Sequence, residues 1–251
     1  TTMKSMFLGN VTYNQDISSW DVSGVNDMSD MFSNSTSFNQ DLSSWNVDNV
    51  EDYENFDNNT PSWVLPKPFF EPYTFLTKVE LQTAVDLWVS DNTAALATYG
   101  QINTWDVLAI TTMEDLFLNK TTFNSDISNW DVSNVVSMES MFAGADAFNQ
   151  PIGNWNVSSV ISMYRMFDSG STITPGSFNQ DLSSWDTSSV TNMSRVFVRQ
   201  IFNQPIGNWD VSSVTNMQGM FSLSKAFNQP IGDWDVSNVT NMSTMFWDAA
   251  A

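Results

Sequence analysis

Tryptophan recurs along this chain at nearly constant intervals, and this spacing constrains the fold more than any other feature of the sequence. Most intervals are about 25 residues long, and self-similarity at a period of about 20–50 residues indicates a repeat protein. The interval between Trp155 and Trp185 is longer, because it contains an insertion from Asp168 to Gly176 that is rich in Ser, Thr, Gly and Pro. The repeat tryptophans are Trp20, Trp45, Trp105, Trp130, Trp155, Trp185, Trp209 and Trp234.

Each repeat places its apolar residues in the order Ile-x-x-Trp-x-Val-x-x-Val-x-x-Met-x-x-Met-Phe, as in 127–142. The first half has the spacing of a leucine-rich repeat, so we predict a short strand at Trp-Asp-Val. The second half has three- and four-residue spacing, which predicts one or two helical turns, with Ser133 in a typical N-cap position. The predicted fold is therefore an α/β solenoid, with a short parallel strand and a short helix in each repeat of about 25 residues.

Two further residue types recur in register and are predicted to have structural roles. All 14 methionines fall in the two Met columns of the repeat, where flexible thioethers can fill gaps between aromatic rings. Seven repeats end in an aromatic residue followed by Asn, as in Phe148-Asn149. We expect these asparagines to form a buried ladder that satisfies backbone groups in the turns.

The periodicity divides the chain into four segments. Residues 1–57 form the C-terminal part of a first repeat array, and 58–76 form a Pro-rich linker. Residues 77–104 contain a capping helix, with Thr77 and Glu80 as a capping box, followed by the entry to the first strand. Residues 105–251 form a second array, which we expect to continue beyond the chain end. The half-repeats at both ends also allow head-to-tail docking of neighbouring copies into a filament.

Composition excludes several classes of function. The net charge of −20, from 28 acidic and 8 basic residues, argues against a nucleic-acid partner, whose phosphates need a basic surface. The chain has no His and no Cys, which removes the usual nucleophilic triads and zinc sites. No apolar run is long enough to predict a transmembrane segment. We therefore do not predict an enzyme or a resident cofactor.

The repeat motif resembles that of BspA-like surface-protein repeats, in particular a class of unknown function known from mycoplasmas, other bacteria and marine microbes. The stretches 178–185 and 238–246 follow its Phe-Asn-Gln-Asp-Ile-Ser-x-Trp-Asp-Val-Ser-x-Val-x-x-Met-x-x-Met-Phe pattern closely. The resemblance covers about 1–57 and 98–251. It implies a leucine-rich-repeat-like right-handed coil, usually exported, with roles in adhesion or surface architecture. It offers no catalytic residues to carry over.

The residue after each repeat Trp is the main candidate for a functional position. If the strands form as predicted, these side chains make one column on the face away from the core, about 4.8 Å apart. Six of the eight are acidic, and such a column favours cations, basic partners or internal hydrogen-bond donors. The alternative is that each Asp only accepts hydrogen bonds from neighbouring Ser or backbone groups. Calcium is retained as a candidate ion, although no recognised calcium loop is present. The candidate binding residues are Asp21, Asp106, Asp131, Asp186, Asp210 and Asp235.

These observations predict a non-enzymatic structural or adhesive repeat protein, located outside the cell or at the cell surface, as a segment or protomer of a filament. Its expected partners are a protein or glycan at a cell surface, or neighbouring copies of the same chain. The alternative function is a ligand-binding module that recognises protein or carbohydrate through the acidic strand face. A glycosidase is disfavoured, because a repeating column gives no two carboxylates different environments.

Overall fold

A computed structural model describes residues 1–171 and 173–249. The chain divides into two compact units, each made of two segments. Unit 1 contains Thr1–Tyr73 and Asp91–Trp105, and unit 2 contains Thr74–Ser90 and Asp106–Ala251. The regular elements in the described ranges are helix α1 (Lys78–Ser90), helix α2 (Asn92–Tyr99) and a 3-10 turn at Ile102–Thr104.

The predicted α/β solenoid, with a strand and a helix in every repeat, is wrong. Within 1–171 and 173–249 the repeats contain no strand and no helix, and are built from turns and irregular backbone. Trp130-Asp131-Val132, one of the predicted strands, has no regular secondary structure. Neighbouring repeats are joined instead by isolated parallel bridges at the residue before the first Met, for example between Ser137 and Ser162.

The hydrogen bonds of the Met segment explain why no helix forms there. Across 138–145, every second N–H group donates to a carbonyl of the next repeat at 2.7–3.0 Å, as Met138 does to Ser162. The N–H groups of Met141, Ala143 and Ala145 donate to the carbonyl three residues earlier and so close successive turns. Ser140 and Gly144 have φ of 53° and 73°, in the left-handed region, which an α-helix excludes. Consecutive turns therefore produced the three- and four-residue spacing that we attributed to a helix.

Aromatic rings form the centre of the core in unit 2. Phe167 stacks between Phe142 and Phe197, with ring centroids 5.5 and 5.7 Å apart and the planes 2° from parallel in both pairs. Met138 and Met163, which belong to the repeats of Phe142 and Phe167, are fully buried, in agreement with the predicted packing role of methionine. Each repeat adds a ring to the stack, so the aromatic positions must stay in register for the core to continue.

The core of unit 1 begins with the same stacking but ends differently. Phe7 and Phe32 stack with planes 9° apart. Phe56 and Trp63 instead meet the ring of Phe32 edge-on, at 81° and 75°. Trp63 is buried, and its indole N–H donates to the carbonyl of Gln40 at 2.8 Å. Edge-on packing against the last regular rings leaves no parallel surface there for another stacked ring.

The repeat tryptophans also link neighbouring repeats through hydrogen bonds. The indole N–H of Trp185 donates to the carbonyl of Ile152 at 3.0 Å, and that of Trp209 donates to the carbonyl of Leu182 at 3.0 Å. Both bonds are buried. Burial of an indole is favourable only when its N–H finds a partner, which the regular spacing of the repeat supplies.

The predicted asparagine ladder forms, but its asparagines are partly or fully exposed and not buried. The side-chain oxygen of Asn149 accepts the N–H of Asn179 at 2.9 Å, and that of Asn179 accepts the N–H of Asn203 at 2.8 Å. A Gln ladder runs beside it, since the amide of Gln180 donates to both oxygens of Asn149. These bonds satisfy backbone N–H groups in a region that has no strand ladder.

Helix α1 has the predicted capping box and packs on the first repeat of unit 2. The Thr77 hydroxyl accepts the N–H of Glu80 at 3.2 Å, and the Glu80 carboxylate accepts the N–H of Thr77 at 3.0 Å. The amide of Gln82 donates to the carbonyl of Leu116, and Asp86 pairs with Lys120 at 2.6 Å. The helix is therefore fixed to the repeat by polar contacts as well as by its buried residues Leu81, Ala84 and Val85.

Candidate functional site

The six candidate aspartates occupy the same turn in their repeats. Asp21 lies in unit 1, and the other five lie in unit 2. In each, the side-chain oxygen Oδ1 accepts the backbone N–H of the residue two positions later, at 2.9–3.1 Å. This hydrogen bond is an Asx-turn, which closes the backbone after Trp without a strand ladder.

Serine two residues later strengthens this turn in most repeats. The hydroxyls of Ser23, Ser188 and Ser212 also donate to the same aspartate oxygen, at 2.6–2.7 Å. Hydrogen bonds from the Ser side chain, followed by those from its backbone N–H, hold the pKa of five of these carboxyls below its usual value. The five are Asp21, Asp131, Asp186, Asp210 and Asp235.

The structure brings only part of the predicted column into mutual electrostatic contact. The charge of Asp210 opposes the lowering of the pKa at both Asp186 and Asp235. Asp106 is different, since its second carboxylate oxygen accepts the hydroxyl of Thr74 at 3.2 Å. Asp186, Asp210 and Asp235 are exposed, so they form the most continuous acidic surface of unit 2 among the six candidates.

Two repeats have Asn at this position and show that the turn does not require a charge. The side-chain oxygen of Asn156 accepts the N–H of Ser158 at 3.2 Å and its hydroxyl at 2.7 Å. Asn46 accepts the N–H of Asp48 at 3.1 Å. The internal hydrogen bonds that we considered as the alternative role of the column are therefore present. A binding role for the carboxylates remains a prediction.

The chemistry available to these carboxylates is limited by their similarity. General acid and base roles need two groups whose environments move their pKa values apart. The pKa values of five of these carboxyls are instead all lowered by the same kind of partner, the Ser two residues later. Over the described ranges, no three Asp or Glu side chains lie close enough together to hold a metal ion. None of the described helices has the length and apolar character needed to cross a membrane.

A second group of polar residues in unit 2 was missed by our sequence reasoning. The side chain of Asp168, at the start of the insertion, is only 3% exposed. Its carboxylate accepts the Nε–H of Arg165 at 2.9 Å and two N–H groups of Arg195 at 3.0 and 2.8 Å. The sequence does contain a signal for this group, since all three arginines of the chain fall within 165–199, around the insertion.

Comparison with known proteins identifies a family but no relative. The profile of the family described as "Mycoplasma protein of unknown function, DUF285" matches at residues 1–65, 86–175 and 172–251. These matches cover most of the chain and agree with a repeat protein of unknown function, without extending to BspA-like leucine-rich repeats. No curated protein matches the chain. No solved structure matches it either.

Proposed function

The chain belongs to the DUF285 family of mycoplasma proteins, and from that premise we propose that it is a non-enzymatic structural or adhesive protein outside the cell or at its surface. The observation that carries this proposal is the use of polar groups in the repeats. Side chains that could perform chemistry, such as Asp186 and Asp210, are already committed to turns of their own repeat. What remains exposed is a regular acidic and polar surface, which suits contact with other molecules better than catalysis.

We also propose that the chain is related to BspA-like surface proteins. This relationship rests on the Trp-Asp-Val and Met-x-x-Met-Phe motifs, and it supports the surface location without the leucine-rich-repeat fold. The net charge of −20 adds support, because a strongly acidic surface keeps a repeat protein soluble and separate from anionic lipid.

Location is tested by antibody labelling of the source cells. We expect an antibody raised against residues 1–251 to label intact cells or their medium, and external protease to remove the cell-bound signal. A cytoplasmic protein of the same cells serves as the control, and must be labelled only after permeabilisation. Labelling of the repeat protein restricted to permeabilised cells would overturn the proposal. Electron microscopy of the native particles then separates filaments from single molecules.

The alternative function is ligand binding through the acidic surface of unit 2. The observation that favours it is the exposure of Asp186, Asp210 and Asp235, whose charges act on one another. A basic partner that neutralises neighbouring like charges relieves their mutual repulsion and so lowers the free energy of the bound state. In this function the ligand would be a basic peptide or protein segment.

Asparagine substitution separates binding from folding at these positions, because Asn46 and Asn156 show that Asn makes the same turn. We expect Asp186→Asn with Asp210→Asn to weaken binding of a Lys-rich peptide about tenfold or more at low salt, with an unchanged unfolding temperature. The matched control is Asp21→Asn, which removes one charge from unit 1. Equal binding by the double variant and the parent protein would exclude this alternative.

A further inference from the structure

The basic residues of unit 2 are concentrated around the insertion from Asp168 to Gly176. All three arginines of the chain are here, together with Lys225. We propose that this part of unit 2 contains a binding site for a carboxylated saccharide, with Arg199 as the residue that pairs with the carboxylate. The site is separate from the acidic turns and does not depend on the structural or adhesive function proposed above.

Two adjoining cavities meet at Arg199. One, of about 450 Å³, is also lined by Gln200, Lys225 and Asp248. The other, of about 320 Å³, is lined by Arg195, by residues 168–171 of the insertion and by Trp247. The lining of the two cavities contains Arg195, Arg199 and Lys225 against Asp168 and Asp248. With Arg165 and Asp146, which contact lining residues, the site has four basic and three acidic side chains, whereas the chain as a whole has a net charge of −20.

The four basic side chains are not equivalent. Arg165 and Arg195 both pair with the buried Asp168, and Lys225 pairs with Asp248 at 3.3 Å. Arg199 is partly buried, yet among the described residues its guanidinium has no acidic partner and no hydrogen-bond acceptor. A partly desolvated guanidinium that no described residue pairs with is costly, and a planar carboxylate can pair with it through two parallel hydrogen bonds.

The backbone at Arg199 has the left-handed conformation that this position of the turn also has in other repeats. Its φ is 54°, in the left-handed region, where a non-glycine residue other than Asn or Asp is disfavoured. The equivalent position of three other repeats is occupied by Asn34, Asn59 and Asn119, with φ of 56–59°. Leu223 and Asp248 occupy it in the two following repeats, with φ of 63° and 53°, so this conformation belongs to the turn and Arg is one of several residues found there.

The insertion is held in place beside Arg199 by contacts at both ends. At its start, the hydroxyl of Ser169 and the N–H of Gly170 donate to Asp146 at 2.9 and 3.2 Å. At its end, the N–H of Gly176 donates to the carbonyl of Arg199 at 2.9 Å. A site built between fixed backbone segments needs little reorganisation when a ligand enters.

The lining of the smaller cavity favours a saccharide among carboxylate ligands, whereas the larger cavity is lined mainly by apolar residues, namely Ile173, Pro175, Ile201, Leu223 and Ala226. Ser169, Ser171, Ser222 and Thr244 line the smaller cavity together with the indole of Trp247. Hydroxyl groups match the hydroxyls of a sugar, and an aromatic face packs against the C–H groups of a sugar ring. The smaller cavity, of about 320 Å³, has the size of a monosaccharide, so a uronic acid unit is the class of ligand that we propose for it.

The proposal is tested by NMR titration of the chain with glucuronic acid, glucose, acetate and sulfate. We expect glucuronic acid to bind about tenfold or more tightly than glucose, which lacks the carboxylate, and than acetate, which lacks the ring. Equal binding of glucose would overturn the role of the carboxylate. Binding of acetate or sulfate as tight as that of glucuronic acid would show a general anion site and overturn the saccharide class.

The test variant is Arg199→Asn, which places in this repeat the residue that three other repeats carry. We expect it to weaken glucuronic acid binding about tenfold or more while its unfolding temperature stays the same or rises. The control variant Lys4→Gln removes one positive charge from unit 1 and should leave binding unchanged. Retained binding in Arg199→Asn, with the fold verified by circular dichroism, would overturn the proposal.

Discussion

Unit 2 places aspartate in two contrasting environments: the repeat turns and the start of the insertion. In the turns, Asp131 and Asp210 are exposed, and one carboxylate oxygen closes an Asx-turn. At the insertion, Asp168 is buried and its charge is neutralised by two guanidinium groups. The turn uses aspartate as a hydrogen-bond acceptor that Asn can replace, whereas the insertion depends on the charge itself.

The two environments distinguish interactions that every repeat needs from interactions that only the insertion makes. A feature that serves every repeat is built from short local contacts and tolerates Asp or Asn, as Asn156 shows. The insertion needs partners from different repeats, since Asp168 contacts Arg195 of the following repeat. A specific ligand site is more readily built from such unique contacts than from repeated ones, because they differ from their surroundings in charge and shape.

The largest effect is expected from Asp168→Ala. Removing a buried carboxylate leaves two guanidinium groups without their partner, and we expect the free energy of unfolding to fall by about 3 kcal/mol. This is at the low end for a buried ion pair because both arginines are partly exposed. Urea unfolding followed by circular dichroism measures the loss. A loss as small as that of a turn aspartate would remove the contrast between the two environments.

A smaller effect is expected from Gly176→Ala at the other end of the insertion. A Cβ atom there would lie 2.3 Å from the side-chain amide of Gln200, which is buried and hydrogen-bonded to Phe178. We expect a loss of about 2 kcal/mol in the free energy of unfolding by urea titration. Gly24→Ala is the matched control, since nothing lies within 4 Å of its Cβ. Equal stability of the two variants would show that the insertion can shift freely.

In the repeat turns, Asp131→Ala is expected to cost about 1 kcal/mol, because the N–H of Ser133 loses its acceptor. Asp131→Asn should stay within about 0.5 kcal/mol of the parent, as it keeps that acceptor. The same urea titration compares both variants. If Asn proved as destabilising as Ala, the charge would matter in the turns as it does at Asp168.

The smallest effect is a dependence on pH. The folded-state pKa values of Asp131, Asp186, Asp210 and Asp235 are lowered by their Ser partners, so these groups stabilise the fold above their unfolded pKa of about 3.9. That contribution is lost as the pH falls through the lower folded-state pKa. We expect the unfolding midpoint in urea to decline below about pH 4, and to decline less in the variant with all four changed to Asn. An equal decline of the midpoint in the parent and in the variant would show that these four carboxyls are not the source of the pH dependence.

Part of the fold and of the candidate site could be predicted from residue spacing. The predicted Trp and Met columns and the capping box of Thr77 and Glu80 are present, and the Asn ladder forms but is not buried as predicted. The strand at Trp-Asp-Val and the helix at the Met segment were wrong, because successive turns and helical turns share a three- and four-residue period. Left-handed residues could have distinguished them, since Asp115 and Asn119 recur four residues apart as Asn55 and Asn59 do.

The sequence by itself determined the repeat length, the buried columns and the family, because these depend on the order and spacing of residues along one chain. Only the tertiary structure decided how neighbouring repeats pair and where the charges meet. Asp168 and Arg195 become partners because stacking places residues of successive repeats side by side, and their separation along the chain follows no rule of local structure. Contacts between repeats likewise determine which partners the backbone N–H and C=O groups take. These contacts compete with the helix that the spacing of the apolar residues also allows.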